Sequence, residues 1–170
     1  MIKTILVIAT IFSILIFILF STTNFKQLVV ASQYNDTKNP IHIKENKYKD
    51  RYCNMTIKDI KYSAQAILEN HTTLFFDDIG CLVLWLNSQE KQEEILLWVW
   101  AKDTNKYINA KKAWYSQTEK TPMNYGFGAY EKTIKDSKKD FISFDKMYNN
   151  VLNDKTLKNP LVKEKLLGNN

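Results

Sequence analysis

The sequence predicts an α+β head of two successive strand–strand–helix–strand (ββαβ) units behind an N-terminal transmembrane helix. Three observations carry this. An uncharged apolar run, Ile5–Phe20, follows Lys3 at the start of the chain. After Arg51, short stretches alternate apolar with polar residues, and apolar residues at helical spacing lie between them. A nearly continuous apolar stretch, Glu94–Ala101, fits a strand buried on both faces.

Size and composition set the limits. The 170 residues suffice for one compact domain or two very small ones, and 45% hydrophobic with 13% aromatic residues permits a packed core. Two cysteines exclude a disulfide-framework miniprotein and a closed four-cysteine zinc site. The formal charge is +6, yet lysines are dispersed among 18 acids and Arg51 is the lone arginine. Only Lys111-Lys112 and Lys138-Lys139 cluster, so a solvated lysine-rich surface is expected and nucleic acid is not a partner.

Residues 1–23 read as a signal anchor. The apolar run is slightly long for a signal-peptide core and slightly short for a comfortable span. No convincing small-x-small site follows Phe20, and no cysteine follows closely enough for a lipid anchor. Lys3 places the N-terminus in the cytoplasm, so the head is expected in the periplasm, on the inner membrane, or released there if the segment is cleaved. Residues 24–50, with Pro40 and a solvated His42, read as a polar tether.

The head is expected over residues 51–152. Arg51–Asp59 alternates as a strand, as does Tyr62–Leu68. Glu69-Asn70-His71 turns the chain into a strand at Thr72–Phe76. Asp77-Asp78 caps a helix bearing Ile79, Leu82, Val83 and Leu86. Lys112–Thr118 and Met123–Glu131 are expected as strands around a turn at Glu119–Pro122. Ile134–Asp140 reads as a short helix, Phe141–Phe144 as a short strand, and Asp145–Leu152 as a capped helix. Residues 153–170 read as a loose polar tail.

The chemistry concentrates on sulfur. On a strand, Cys53 and Met55 would share one face about 6.5–7 Å apart, as a thiolate–thioether pair that selects Cu(I). The same spacing also serves two ordinary core residues. Met123 follows a proline turn, where a ligand can stay accessible. Joined to Cys53 and Met55, it would complete a formally neutral Cu(I) site with an open position. Cys81 falls in the first turn of the helix capped by Asp78, where backbone amides favour a thiolate. It reads as an additional donor, a structural thiol or a disulfide partner of Cys53, and a disulfide would exclude the metal. His71 is a further candidate donor, although a turn histidine is ordinarily solvent-facing. Asp77 and Asp78 look like a catalytic pair, but helix capping accounts for at least one of them.

Four segments carry a family resemblance: Cys53-Asn54-Met55; Phe76-Asp77-Asp78-Ile79-Gly80-Cys81; Tyr107-Ile108-Asn109-Ala110-Lys111-Lys112-Ala113; and Thr121-Pro122-Met123-Asn124-Tyr125-Gly126-Phe127. Their order over residues 51–152 resembles NosL, the accessory protein of nitrous oxide reductase. The resemblance implies a periplasmic, membrane-attached, non-enzymatic Cu(I) chaperone with Cys53, Met55 and Met123 as donors. It implies delivery to apo nitrous oxide reductase for its copper–sulfide centre, in concert with the NosDFY membrane transporter. It also implies a paired ββαβ fold similar to the organomercurial lyase MerB. The chain departs from the family in lacking a lipoprotein cysteine, and in carrying Asn54 and Asn124 where glycine is common. The alternatives are another copper client such as a terminal oxidase, a metal-free interaction module with a Cys53–Cys81 disulfide, and a lyase. The lyase would need cysteines and an acid converging on one cleft.

Overall fold

The computed structural model describes residues 2–22, 29–132 and 140–168. Its architecture is α+β. Helix α1 (Ile2–Thr22) precedes a seven-stranded sheet formed by β1 (Ser32–Tyr34), β2 (Ala64–Ile67), β3 (Thr72–Phe76), β4 (Leu96–Ala101), β5 (Lys106–Asn109), β6 (Trp114–Ser116) and β7 (Gly128–Tyr130). Helix α2 (Ile79–Asn87) links β3 to β4, and α3 (Phe144–Leu152) and α4 (Pro160–Leu167) follow β7.

The strand order is β1-β3-β2-β4-β7-β6, with β5 also on β4. Its pairings are antiparallel except β4–β7, which is parallel through Ala101 and Ala129. The β2–β3 hairpin registers Ala64 with Phe76 and Ile67 with Thr73. Its turn needs His71 at φ 66, and the Asn70 side chain accepts the Thr72 amide at 3.1 Å. Past β3 the chain enters α2, whose cap Asp78 accepts the Gly80 amide at 3.0 Å. Ile79, Cys81, Leu82, Val83 and Leu86 of α2 are buried with Ala64, Ala66, Phe76, Leu97 and Val99 of the sheet. Helix α3 adds Met147 and Val151 to the same core, from a cap at Ser143.

The structure corrects several expectations. Arg51–Asp59 is a tight loop and not a strand, with isolated bridges from Lys49 to Thr56 and from Asp50 to Phe75. Met123–Glu131 is extended as a strand only over Gly128–Tyr130, because Thr121–Asn124 is a turn closed by the Asn124 amide on the Thr121 carbonyl. Phe141–Phe144 forms a single bridge, Tyr115 to Ile142. All but the last residue of the expected helix Ile134–Asp140 lies outside the described residues.

The stretch read as a tether is partly folded. It supplies β1 and buries Ile43, Tyr48 and Asp50, the first two packed with Ile57 and Phe75 in a second core cluster. The tail likewise buries Thr156 and Leu157 and forms α4. The side chains of α1 are described in part, and among the described residues no helix is long and apolar enough to cross a membrane.

Candidate metal centre

The loop between Lys49 and Thr56 is organised by one carboxylate. Asp50 Oδ1 accepts the amides of Tyr52 (2.7 Å) and Cys53 (2.9 Å), while Oδ2 accepts the amide of Asp77 (2.7 Å). The Asn54 amide closes back on the Asp50 carbonyl at 3.0 Å, and Asn54 takes φ 62, which asparagine tolerates better than most residues. The Asp50 amide donates to the Met55 carbonyl at 2.8 Å, and the Arg51 amide docks on the Phe75 carbonyl at 2.8 Å. A side chain that satisfies its own backbone this way replaces the strand ladder. Cys53 is thereby presented half-buried near the end of β3.

Cys81 arrives from the other side. It is the third residue of α2 and fully buried, with its amide on the Asp78 carbonyl at 3.0 Å. Asp78 Oδ2 accepts the Met123 amide at 3.0 Å, which ties the Thr121–Asn124 turn to the start of α2. The Tyr125 ring covers Gly80 so closely that a Cβ there would collide with the ring carbons.

These elements bring one carboxylate oxygen of Asp50 and the sulfurs of Cys53 and Cys81 within 4.8 Å of one another. Both cysteines are free. This buried group could hold a metal ion. Burial pushes the Cys53 thiol up, opposed by a hydrogen bond from the Met55 backbone and by donation from Cys81. Cys81 is pushed much further up, first by burial and then by the charge of Asp50. Cys53 is therefore the sulfur that ionises first. Asp77 is pushed up to about 7 by burial and by Asp50 and Asp78, and its Oδ1 is buried without a hydrogen-bond partner. Asp78 is raised chiefly by burial, against hydrogen bonds from Thr121, Gly80 and Met123. Among the described residues no lysine or arginine pairs with Asp50, Asp77 or Asp78. A bound cation would supply the missing positive charge.

The expected donors fall into three groups. Cys53 and Cys81 come together. Met123 is half-buried, packed on the core cluster that contains Cys81 and that Cys53 also touches. Met55 follows Cys53 on the loop but is 45% exposed, so the strand geometry that paired it with Cys53 is absent. His71 lies at the opposite end of β3 from Asp77, six residues or roughly 20 Å away along an extended chain. Its ring stacks on Tyr34 at 5.8 Å, outside the site. Sequence reasoning missed Asp50 by assigning it to the tether. The available signal was an aspartate three residues before a cysteine, the spacing at which a carboxylate caps the following amides. No family model matches the chain, and no curated protein matches it.

Proposed function

We propose that the chain is a membrane-anchored, extracytoplasmic Cu(I) carrier whose primary donors are Cys53 and Cys81. The convergence of two free thiols on one carboxylate carries this reading. Thiolate ligands favour Cu(I), and Met123 beside the same core adds a soft thioether. Cys53, the more accessible and more readily ionised sulfur, takes the ion first. Cys81 then exchanges its proton for the metal, and Asp50 contributes an oxygen or the local negative charge. Release runs in reverse, with the thiol of an acceptor displacing Cys81 and then Cys53.

Retention at the inner membrane rests on Ile5–Phe20 behind Lys3. Ile5, Leu6, Ile8, Phe12 and Phe17 of α1 are all more than half exposed, an apolar surface that calls for an apolar environment. The paired ββαβ description, nitrous oxide reductase as client and NosDFY as co-worker follow from the NosL resemblance. The order β2–β3–α2–β4 supports the first such unit, while after β6 and β7 no further strand follows among the described residues. A terminal oxidase is an equivalent client on the same chemistry.

The test is competition for Cu(I) against a chelator, repeated with Zn(II), because two thiolates and a carboxylate also suit zinc. Cys53→Ser and Cys81→Ser should each weaken Cu(I) binding beyond the roughly 10–100-fold typical of losing a supporting group. Met123→Ala should weaken it about tenfold, and Met55→Ala less. Cysteine variants that bind as tightly as the parent overturn the site, and preference for Zn(II) overturns the copper assignment.

The same proximity favours a second reading, a Cys53–Cys81 disulfide in a metal-free interaction module. Thiol counting on protein from an oxidising compartment separates the two, since the carrier keeps two free thiols. An acid beside two thiols also fits the requirement of the lyase reading, and assay of carbon–mercury cleavage on a phenylmercury compound decides that point.

A further inference from the structure

Two cavities, of about 380 Å³ and 250 Å³, lie between the Thr121–Asn124 turn and α4. They share Asn124, Leu157 and Lys163 and so form one groove, from Met123 at one end to Leu167 at the other. Its apolar lining comes from Leu157, which is buried, and from Pro160 and Leu167, which are exposed. Its rim carries Lys120, Lys158 and Lys163, all exposed and, among the described residues, in no ion pair. The one acid lining it, Glu119, is buried and bound to Lys102 at 2.7 Å. The groove is therefore a concave surface of net positive charge.

Two contacts connect it to the start of α2, where Cys81 lies. Met123 lines the groove, and its amide is held by Asp78, the cap of the helix that carries Cys81. Lys158 Nζ lies 4.7 Å from the centre of the Tyr125 ring, whose atoms cover Gly80, the residue before Cys81. An extended chain seated in the groove ends beside Met123, whose turn is tied through Asp78 to the helix bearing Cys81.

We infer that this groove seats an acidic, extended segment of the protein that exchanges metal with this chain. The exchange half of the inference rests on the Cu(I) reading above, and the seat itself does not. Charge complementarity names the occupant: three lysines in no ion pair among the described residues, beside apolar side chains, fit a chain alternating carboxylates with small apolar groups. Concavity favours a chain over a bilayer, which would meet a flat or convex lysine face.

The experiment titrates a fluorescein-labelled peptide of alternating glutamate and alanine into the full chain in nonionic detergent, at low and at physiological salt. Saturable binding that weakens with salt is expected, and the triple variant K120E/K158E/K163E should lose at least about tenfold. A control, K111E/K112E on an exposed turn away from the groove, should bind like the parent. Equal loss in the control, or parental binding by the triple variant, overturns the groove. Failure of the peptide to bind while vesicles containing phosphatidylglycerol bind through the same three lysines also overturns it, in favour of a membrane-facing patch. Cu(I) titration of the same samples keeps the two claims apart. A chain that binds peptide but no Cu(I) supports the seat and overturns the metal reading. One that binds Cu(I) but no peptide does the reverse.

Discussion

Asp50 has two roles that pull in different directions. As an acceptor of three backbone amides it holds the 50–55 loop in shape, and as a buried carboxylate it sits within 4.8 Å of both sulfurs. Asparagine at this position keeps an oxygen for two amides but turns an N–H toward the third. Asp50→Asn is expected to cost about 2 kcal/mol of stability in the metal-free protein, and Asp50→Ala more, because three backbone donors, one of them buried, lose a charged acceptor. Denaturant unfolding of the two variants checks the ranking, and equal stability of parent and alanine variant excludes the capping role. Asp77 behaves differently. Its carboxyl is raised to about 7 in the folded chain, so the folded state holds a proton that the unfolded state releases near pH 4. The sign follows: stability contributed by this group is full below about pH 4 and is lost as pH rises through about 7. Asp77→Asn should remove that dependence and leave the metal-free protein more stable than the parent at pH 8. Unfolding free energies measured from pH 4 to 8 in chelator test it, and parallel pH profiles for the two proteins would refute the assignment.

At the scale of elements, α2 and the β2–β3 hairpin were legible because their signals are local. Asp78 caps, Ile79, Leu82, Val83 and Leu86 recur at helical spacing, and Asn70-His71 marks the turn. The 51–59 loop was not legible, since its alternating pattern is that of a strand. What prevents the strand is the Asp50 carboxylate wrapping the amides of Tyr52 and Cys53 around itself, a tertiary arrangement locked by the Asp77 amide from another element. The candidate site was half legible for the same reason. Cys53 and Cys81 are conspicuous as the two cysteines, but only the fold shows that loop and helix start meet. Gly80 offers a test of that meeting. Its missing side chain admits the Tyr125 ring, so Gly80→Ala must displace the ring or the turn at Thr121–Asn124. Overpacking of this kind should cost about 1–3 kcal/mol, although alanine is the better helix former. If intrinsic helix propensity governed here, Gly80→Ala would raise the thermal midpoint instead.

At the scale of the whole molecule, the head does not begin where the alternating patterns begin. A polar composition made residues 24–50 look like a spacer, yet contacts distant in sequence fold part of them. Ser32–Tyr34 pairs with β3 from outside, Asn35 reaches the Thr73 hydroxyl at 3.0 Å, and the Gln65 side chain bonds the Ile41 backbone at both its amide (2.9 Å) and carbonyl (2.7 Å). Beneath these polar links Ile43 and Tyr48 close over Phe75, with Tyr48 and Phe75 ring centres 4.3 Å apart. Removing this layer exposes one face of β3 and takes both Ile41 backbone bonds from the Gln65 side chain. A chain starting at Val29 should therefore unfold cooperatively and keep its metal affinity, whereas one starting at Arg51 should lose cooperative unfolding and Cu(I) binding together. Metal cannot rescue the shorter chain fully, because it lacks Asp50 as well as the layer that shields β3. Far-UV circular dichroism melts of both truncations with and without Cu(I) decide the matter, and a two-state transition from the chain beginning at Arg51 would show that the N-terminal layer is an ornament of the fold and not part of it.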